Sequence, residues 1–433
     1  MLPPKAPLTT ALIAALVALG PLATDMYLPA FPTLMREFGV GIAATQQTLS
    51  VFLVGFALAQ LTYGPLSDRF GRKPALNGGL LLFALSSYAI TLASDMATLT
   101  ALRLLQALGA SAGPVLGRAM VRDIHGPRDS ARLLSYIGTA MALAPAVAPL
   151  LGGYMTVLWG WSSIFLFLAA YAVLGLAFSL RIPETAPAHG RAPSTTLLGG
   201  FAELLRHPAW RWYTLACGCV FGGLFAFLSG SPFIIIDFLG YPEQRFGLFF
   251  ALVVAGFMAG TLLGGRLSQR HGTDPLIRAG AAVALVGGLG MALPALLGIH
   301  HISAIIIPQM IYMVGVGIVM PQSMAGALAP FPHIAGASSA LLGFIQMSLA
   351  ALAGILVGRL HDGGPLAMSL TIAALGALTL LSAWRLPRPA LPRRRKRHPE
   401  QRLTTNSEKK HPLTSVRKHP TSLRHRSTHR ACA

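Results

Sequence analysis

The sequence predicts an all-α integral membrane protein whose twelve transmembrane helices form two six-helix halves around a central cavity. Three observations predict this: the composition, the apolar runs and an internal repeat. Of the 433 residues, 54% are hydrophobic and only 11% are charged, whereas a soluble domain carries about 25% charged residues. Apolar runs of about 20 residues, the length of a membrane-crossing helix, recur along the chain. A short motif then recurs at the same place in each half.

Twelve runs are long enough to be membrane spans. They lack the alternation of barrel strands, so helices are expected. Abundant glycine (46) and proline (31) fits membrane helices that pack closely and bend. The predicted spans are 8–29, 45–63, 75–94, 98–117, 134–156, 162–180, 212–234, 246–265, 276–298, 302–322, 336–358 and 366–384.

The loops with most basic residues lie on one side, which predicts that this side is cytoplasmic. Both chain ends are then cytoplasmic. The formal net charge of +20 is concentrated after Arg385 and does not indicate a nucleic-acid partner. On the opposite side, Asp237, Glu243 and Arg245 flank a loop and are expected to be solvated.

A polar, proline-rich segment divides the chain. Residues 1–181 are expected to form the N-terminal six-helix bundle and 211–384 the C-terminal one. Residues 182–210 are a predicted cytoplasmic linker with a short surface helix over Leu197–Arg206. Residues 385–433 form a basic tail that is low in apolar residues, so disorder is expected there.

The internal repeat follows the second span of each half. Gly64-Pro-Leu-Ser-Asp-Arg-Phe-Gly71 recurs as Gly265-Arg-Leu-Ser-Gln-Arg-His-Gly272. The Gly, Leu, Ser, Arg and Gly positions match at constant register. A repeated six-span unit in one orientation is typical of secondary transporters in which the two halves rock about a central site.

Asp25 is the only charge in the first run. A carboxylate at membrane depth is costly, so it is usually paired or marks an ion or substrate path. Arg103 on span four is expected at a similar depth, where the two residues pair or share a water network. Burial and a neighbouring arginine shift the pKa of a carboxyl group in opposite directions. This pair is therefore predicted to couple transport to protons. The alternatives are that Asp25 is hydrated near the outer surface and that Arg103 snorkels to the outer interface.

The segment Gly64–Pro74 resembles the loop motif between spans two and three of the major facilitator superfamily. The resemblance implies a conformational latch. From the residues themselves, Asp68 is expected to accept from helix amides or to pair with an arginine across the halves. The charges at the inner end of span four join this cluster or remain solvated. The predicted latch residues are Gly64, Asp68, Arg69, Gly71, Arg72, Lys73, Arg118, Arg122 and Asp123.

Span five resembles the Gly-Pro-x-x-Gly-Gly motif of the proton-driven antiporter branch at Pro145, Pro149, Gly152 and Gly153, with alanine before each proline. A generic kinked helix is the alternative. Residues 24–32, 118–123 and 331–339 resemble the Bcr/CflA type of multidrug exporter. The resemblance covers about residues 8–384 and implies proton-coupled export of amphipathic drugs across a bacterial inner membrane.

Two other functions are weighed against export. Uptake of a sugar or another small nutrient uses the same fold. A membrane enzyme or receptor needs a catalytic constellation or a signalling domain, and the sequence has neither; it also lacks a phosphate-binding loop, so direct use of ATP is not expected. The expected partners are a small-molecule substrate, protons and the bilayer, for a monomer without cofactor or metal. Candidates for the substrate cavity are Tyr27, Phe56, Gln106, Phe225 and Met347.

Overall fold

The structure, a computed structural model, describes residues 7–185, 197–331, 334–361 and 363–386, with all side chains except those of residues 7, 8, 10, 126–143, 197, 198 and 269. Within these ranges the chain forms helices and no strand. Ten helical segments of the described residues are long and apolar enough to cross a membrane. The predicted tail and the middle of the predicted linker lie outside the described residues. We call the side predicted to be cytoplasmic the inner side, and the opposite side the outer side.

The first span consists of three short helices, α1 (Pro7–Val17), α2 (Leu19–Asp25) and α3 (Phe31–Phe38). A 3-10 turn over Leu28–Ala30 joins α2 to α3. It contains Pro29, which has no amide hydrogen for the α-helical pattern. The prediction that the span ends at Pro29 is therefore wrong, because the span runs from Ala11 to Phe38. Asp25 consequently lies near the middle of the span and not near its outer end.

The remaining helices of the first half mostly coincide with predicted runs and extend beyond them. The longest of them, the 48-residue α7, covers the end of predicted span four and all of span five. The helix at predicted span three is not among the ten candidate membrane helices, and the described part of predicted span five, Ala144–Trp159, is too short to be one, so the count of twelve is only partly confirmed. These helices are α4 (Ile42–Phe70), α5 (Arg72–Ile90), α6 (Met96–Ala110), α7 (Ala112–Trp159) and α8 (Ser162–Ser179).

Helix α7 reverses direction, as two successive spans require. Gly113 near its start lies against Leu16, and Gly152 near its end lies against the backbone of Met26. Leu16 and Met26 are about 15 Å apart along the first span, whereas a straight helix would separate the two glycines by about 58 Å. The reversal therefore lies between these two glycines.

The second half follows the same plan. The linker helix α9 coincides with the predicted surface helix, and its Leu204 is buried with Trp210 and Phe331. Helix α10 continues into a π-helical turn over Phe233–Phe238. The helices are α9 (Leu197–Arg206), α10 (Pro208–Pro232), α11 (Glu243–His271), α12 (Thr273–Leu296), α13 (Ile302–Leu328), α14 (Ala335–Leu360) and α15 (Leu366–Trp384).

The two copies of the sequence repeat have the same backbone structure. Gly71 ends α4 with φ +96° and Gly272 ends α11 with φ +78°. The glycine amide donates to Ser67 O in one copy and to Ser268 O in the other, at 3.0 Å in both. Positive φ is readily adopted only by glycine. The final glycine of each motif thus allows the next helix to begin at once.

The halves meet along two helix pairs, α4 with α14 and α7 with α11. On the outer side of the second pair, Gly247 of α11 lies against Leu150 of α7, and Gly153 of α7 lies against Glu243. Glycines at these points let the helix backbones approach closely. The outer part of the α7–α11 contact is therefore tightly packed.

Candidate functional site

Asp25 is a buried carboxylate in the middle of the first span. The residue is 4% exposed, and its Oδ1 accepts a hydrogen bond of 2.9 Å from Thr24 Oγ1. It forms no salt bridge with any described residue. Its position at the end of α2, beside the 3-10 turn, follows from the proline that interrupts the helix. Membrane depth, burial and a single hydroxyl partner make it a site where a proton can be held.

Arg103 of α6 is fully buried. Its Nη1 donates to Ala23 O at 3.2 Å and to Gln106 Oε1 at 2.5 Å. Gln106 Nε2 in turn donates to Ser87 Oγ at 2.7 Å. The Nε and Nη2 atoms of Arg103 have no hydrogen-bond partner among the described residues. This side chain thus retains unused donors beside the backbone that carries Asp25.

Aromatic rings surround the Arg103 guanidinium. Its central carbon lies 4.6 Å from the ring centroid of Tyr27, 4.3 Å from that of Phe52 and 5.8 Å from that of Phe165. Such cation–π contacts stabilise a cation by up to about 2 kcal/mol when it is desolvated. The rings and the Gln106 amide therefore take the place of a carboxylate partner in this conformation.

Asp25 and Arg103 are close but do not form the direct ion pair that the sequence offered as one arrangement. They are connected through Ala23, whose carbonyl accepts from Arg103 two residues before the carboxyl group. Arg103 does not snorkel to the outer interface, since it is 0% exposed. The alternative of a hydrated Asp25 near the outer surface is likewise not met.

The glycines predicted in the antiporter motif lie where other elements approach α7. A Cβ atom at Gly152 would collide with the backbone carbonyl of Met26, next to Asp25, and one at Gly153 would lie 2.7 Å from Glu243 O in the second half. Pro149 is buried and Pro145 is partly exposed. The motif therefore contacts both the Asp25 segment and the opposite half, which a generic kinked helix does not require.

Polar side chains connect the halves on the outer side. Thr33 Oγ1 donates to Glu243 Oε1 at 2.6 Å. Arg36 lies 3.5 Å from Asp237 Oδ1 and 3.6 Å from Glu243 Oε1. The expectation that Asp237 and Glu243 are merely solvated is wrong, because residues distant in the sequence bring them partners. The outer side is closed in this conformation.

Below these polar contacts, aromatic rings pack between the two halves. We call the polar contacts and these rings together the outer closure. The ring of Phe31 lies 5.7 Å from that of Phe233 in the second half and 4.9 Å from that of Tyr27. Tyr27 in turn is one of the rings around Arg103. A continuous chain of side-chain contacts thus connects the Arg103 network to the outer closure.

Arg72 is the centre of the predicted latch. Its Nη1 lies 2.7 Å from Asp68 Oδ1, and its Nε lies 3.2 Å from Asp123 Oδ2. Asp68 therefore pairs with an arginine of its own half, whereas helix amides or an arginine of the other half were expected; among the described residues it contacts neither. Asp123 joins the cluster as predicted.

The other predicted latch residues lie around this cluster. The guanidinium of Arg69 stacks on Phe70 at 5.3 Å, and Arg118 Nε donates to Pro114 O at 2.7 Å. Arg122 is exposed. No atom lies within 4 Å of the position that a Cβ atom would take at Gly64, so nothing near it requires a glycine.

Glu184 is a member of this cluster that the sequence analysis missed. Its two carboxylate oxygens accept from the backbone amides of Arg72 and Lys73 at 3.0 and 3.1 Å. A carboxylate at a helix N-terminus pairs with free amides and the positive end of the helix dipole. Lys73 Nζ also donates to Leu180 O at 2.9 Å, so the start of α5 is fastened to the end of α8. An acid directly after the sixth span, facing a basic loop, was the available signal.

The structure places the five predicted cavity residues in different surroundings. Tyr27 and Gln106 belong to the Arg103 network, and Phe225 packs on Phe221 at 4.8 Å between centroids. Phe56 lies close to Gly20, and Met347 is partly buried. An open surface groove of about 710 Å³ follows the inner part of α11. Its described lining residues are Thr261, Leu262, Leu263, Gly265, Arg266, Leu267 and Arg270.

The comparisons with known sequences agree on one protein family. Residues 13–355 match the profile of the Major Facilitator Superfamily. The chain is 35% identical to the uncharacterized MFS-type transporter YdgK of Bacillus subtilis, over 80% of this chain and 87% of that protein. It is 33% identical to a chloramphenicol resistance protein of Pseudomonas aeruginosa, over 77% and 79%. It is 30% identical to a bicyclomycin resistance protein homolog of Haemophilus influenzae, over 84% and 92%.

Solved structures with the same fold are more distant in sequence. A D-xylose–proton symporter superposes with a TM-score of 0.71 at 16% identity, over 88% of this chain and 97% of that one. A bacterial homolog of the human lysosomal transporter Spinster superposes with a TM-score of 0.64 at 13% identity, over 87% and 94%. At such identities the likeness shows the fold alone.

Proposed function

Because the chain belongs to the Major Facilitator Superfamily, we propose that it is a proton-coupled antiporter that exports amphipathic small molecules, including drugs, by alternating access. Relatives named for chloramphenicol and bicyclomycin resistance support drug export. The observation that carries proton coupling is Asp25, a buried carboxylate in the middle of a span. The basic inner loops support an inner-membrane location with both termini cytoplasmic, and the protein acts as a monomer.

In this proposal Asp25 carries the proton. A buried carboxylate without a cation is costly in its charged form, so Asp25 keeps its proton while the outer side is closed and the site is dry. Opening to the inner side hydrates the site and lets the proton leave to the cytoplasm. Opening to the outer side reloads Asp25 from the more acidic exterior.

Arg103 stabilises the ionised state of Asp25 in the cycle. Its unpartnered Nε and Nη2 donors lie beside the same backbone segment, and a rotation of either side chain brings a donor to the carboxylate. The pair then forms only when the proton has left, so that protonation and side-chain arrangement change together. When the Arg103 guanidinium moves away from the aromatic rings, Tyr27 loses a contact and moves as well. Tyr27 in turn contacts the outer closure through Phe31.

Uptake of a sugar or nutrient is the remaining alternative on this fold. Its support is the likeness to the D-xylose–proton symporter, which at 16% identity concerns the fold alone. No feature of the Asp25 site favours uptake over export.

A susceptibility panel on expressing cells, with and without a protonophore, tests the proposal. We expect growth at several-fold higher drug concentrations, abolished by the protonophore. In everted vesicles, Asp25→Asn should abolish uphill accumulation while the protein folds normally. Asp95→Asn is the matched control, because Asp95 is an exposed N-cap of α6 and asparagine caps a helix equally well. An Asp25→Asn protein that still concentrates drug would refute the role of Asp25, and accumulation of drug in intact cells would refute export.

A further inference from the structure

Polar side chains of α4 meet glycines of α14 in a constant register. Residue numbers rise along α4 as they fall along α14, so the helices are antiparallel and the contacts follow one line between the two halves. We call this line the glycine seam. Its contacts are those of Gln60 with Gly343, Ser50 with Gly354, and Gln46 with Gly358.

The glycines are what allow the seam to close. A Cβ atom at Gly354 would lie 2.8 Å from Ser229 Oγ of α10 and 3.1 Å from Ser50 Oγ. A Cβ atom at Gly358 would press on Gln46 Oε1. Both glycines are buried. Larger residues at these places would hold α14 away from α4.

The polar side chains packed against these glycines are poorly satisfied. Gln46, Ser50 and Ser229 are at most 2% exposed. Gln46 Nε2 donates to Ser229 O at 2.6 Å, but Gln46 Oε1, Ser50 Oγ and Ser229 Oγ have no hydrogen-bond partner among the described residues. Native proteins leave few buried polar groups unpaired, because each one is destabilising. The closed seam is thus held less tightly than an apolar seam of the same shape.

We propose that Gln46, Ser50 and Ser229 are positioning residues for opening the outer side. The glycines let the seam close, and the unpaired polar atoms favour its reopening because water in an open seam would hydrogen-bond them. Gln46 lies near the outer start of α4 and Gly358 near the outer end of α14, so this end of the seam is the first to be wetted. The proposal rests on the proposed function in that transport requires the outer side to open and close.

Thiol labelling from outside intact cells tests this. Ser231, close to the outer end of α10, is fully buried, so Ser231→Cys becomes reactive from outside only when the outer side opens, with little change in volume. The rate of reaction with a membrane-impermeant maleimide is measured without drug. The parent protein, which keeps Cys217, Cys219 and Cys432, provides the background.

Two changes in the Ser231→Cys protein should move the labelling rate in opposite directions. Gly354→Leu wedges the seam and should raise the rate about tenfold; Gly354→Ala is the smaller wedge if the leucine variant does not fold. The double substitution Ser50→Ala and Ser229→Ala removes the unpaired hydroxyls and should lower the rate several-fold. Gly78→Leu is the control, because nothing lies within 4 Å of a Cβ at Gly78.

Unchanged labelling in the folded Gly354 variants, or in the double alanine variant, would overturn the proposal. So would a shift in the same direction for both. The assay needs no drug and measures accessibility rather than transport, so its outcome is independent of drug export. A protein that exports no drug can still support the seam, and a drug exporter with unaltered labelling contradicts the seam alone.

Discussion

Gly152 of α7 lies directly against the backbone carbonyl of Met26, the residue that follows Asp25. The glycine has no side chain, so α7 contacts the first span at the turn that holds the buried carboxylate. The neighbouring Gly153 contacts Glu243 of the opposite half. One helix thereby touches both the candidate proton site and the outer closure.

Gly152→Ala should lower proton-driven export at least tenfold. The added methyl group meets backbone rather than a flexible side chain, so α7 or the turn after Asp25 must move, and small displacements at a site have large effects on rate. Drug accumulation in everted vesicles measures this. Gly78→Ala, where nothing opposes a methyl group, should behave like the parent; equal rates for both variants would contradict the prediction.

Arg103→Lys should also lower proton-coupled export by at least tenfold, although the charge is kept. A lysine ammonium is a point charge without the planar fork that contacts Ala23 O and Gln106 while stacking on rings. Proton release on addition of drug to the detergent-solubilised protein would separate loss of coupling from loss of binding. The exposed Arg245 provides the control, since Arg245→Lys should have no effect; normal coupling in Arg103→Lys would exclude the fork as the important feature.

In the inner cluster, Asp123→Asn should destabilise the protein more than Asp68→Asn. The Arg72–Asp68 distance is shorter, but the Asp68 side chain is 66% exposed and that of Asp123 only 15%. Exposed pairs contribute about 0.2–1 kcal/mol, whereas shielded hydrogen bonds to charged groups contribute roughly 1.5–3 kcal/mol. Thermal unfolding in detergent ranks the two. A larger effect at Asp68 would show that distance outweighs burial here.

Gly71→Ala should cost more stability than Gly272→Ala. Both glycines have positive φ, and alanine in such a conformation costs about 1–3 kcal/mol. At Gly71 the methyl group would also lie 2.7 Å from Glu184 Oε2, whereas nothing lies within 4 Å at Gly272. The melting temperatures of the two variants test this, and Glu184→Ala should destabilise the Gly71→Ala protein less than it destabilises the parent.

On the outer side, Glu243→Ala should open the closure more than Arg36→Ala. The Glu243 side chain is 12% exposed and accepts a 2.6 Å hydrogen bond from Thr33, while the Arg36 side chain is 60% exposed. Maleimide labelling of Ser231→Cys from outside measures opening. High salt should reproduce the effect of Arg36→Ala, because salt screens exposed pairs; a larger effect of Arg36→Ala than of Glu243→Ala would contradict the ranking.

The first span shows what the local hydropathy pattern could predict and what it could not. Hydropathy found the span, and a lone carboxylate within it identified Asp25. The extent of the apolar run suggested an end at Pro29. The chain instead passes through a 3-10 turn and continues to Phe38, because packing against α7 and the second half keeps this segment helical. The depth of Asp25 was therefore beyond sequence reasoning.

Partners of the predicted residues show the same limit. Arg103 was identified as a buried cation, but its rings come from three other helices or turns, and the Glu184 carboxylate that caps α5 lies more than a hundred residues away from it. The repeat, in contrast, was predictable with its structure, since a Gly-x-x-Ser-x-x-x-Gly helix end needs only its own backbone and a positive φ at the last glycine.

The amino-acid sequence by itself determined the membrane class, the approximate spans, the duplicated helix ends and the buried charges, because hydropathy and backbone preference act over a few neighbouring residues. Only the tertiary structure decided what Asp25 and Arg103 touch, which carboxylate caps α5, and how the glycines of α14 meet α4. Those contacts join segments far apart in the chain, and a glycine carries no local sign of the side chain that will lie against it.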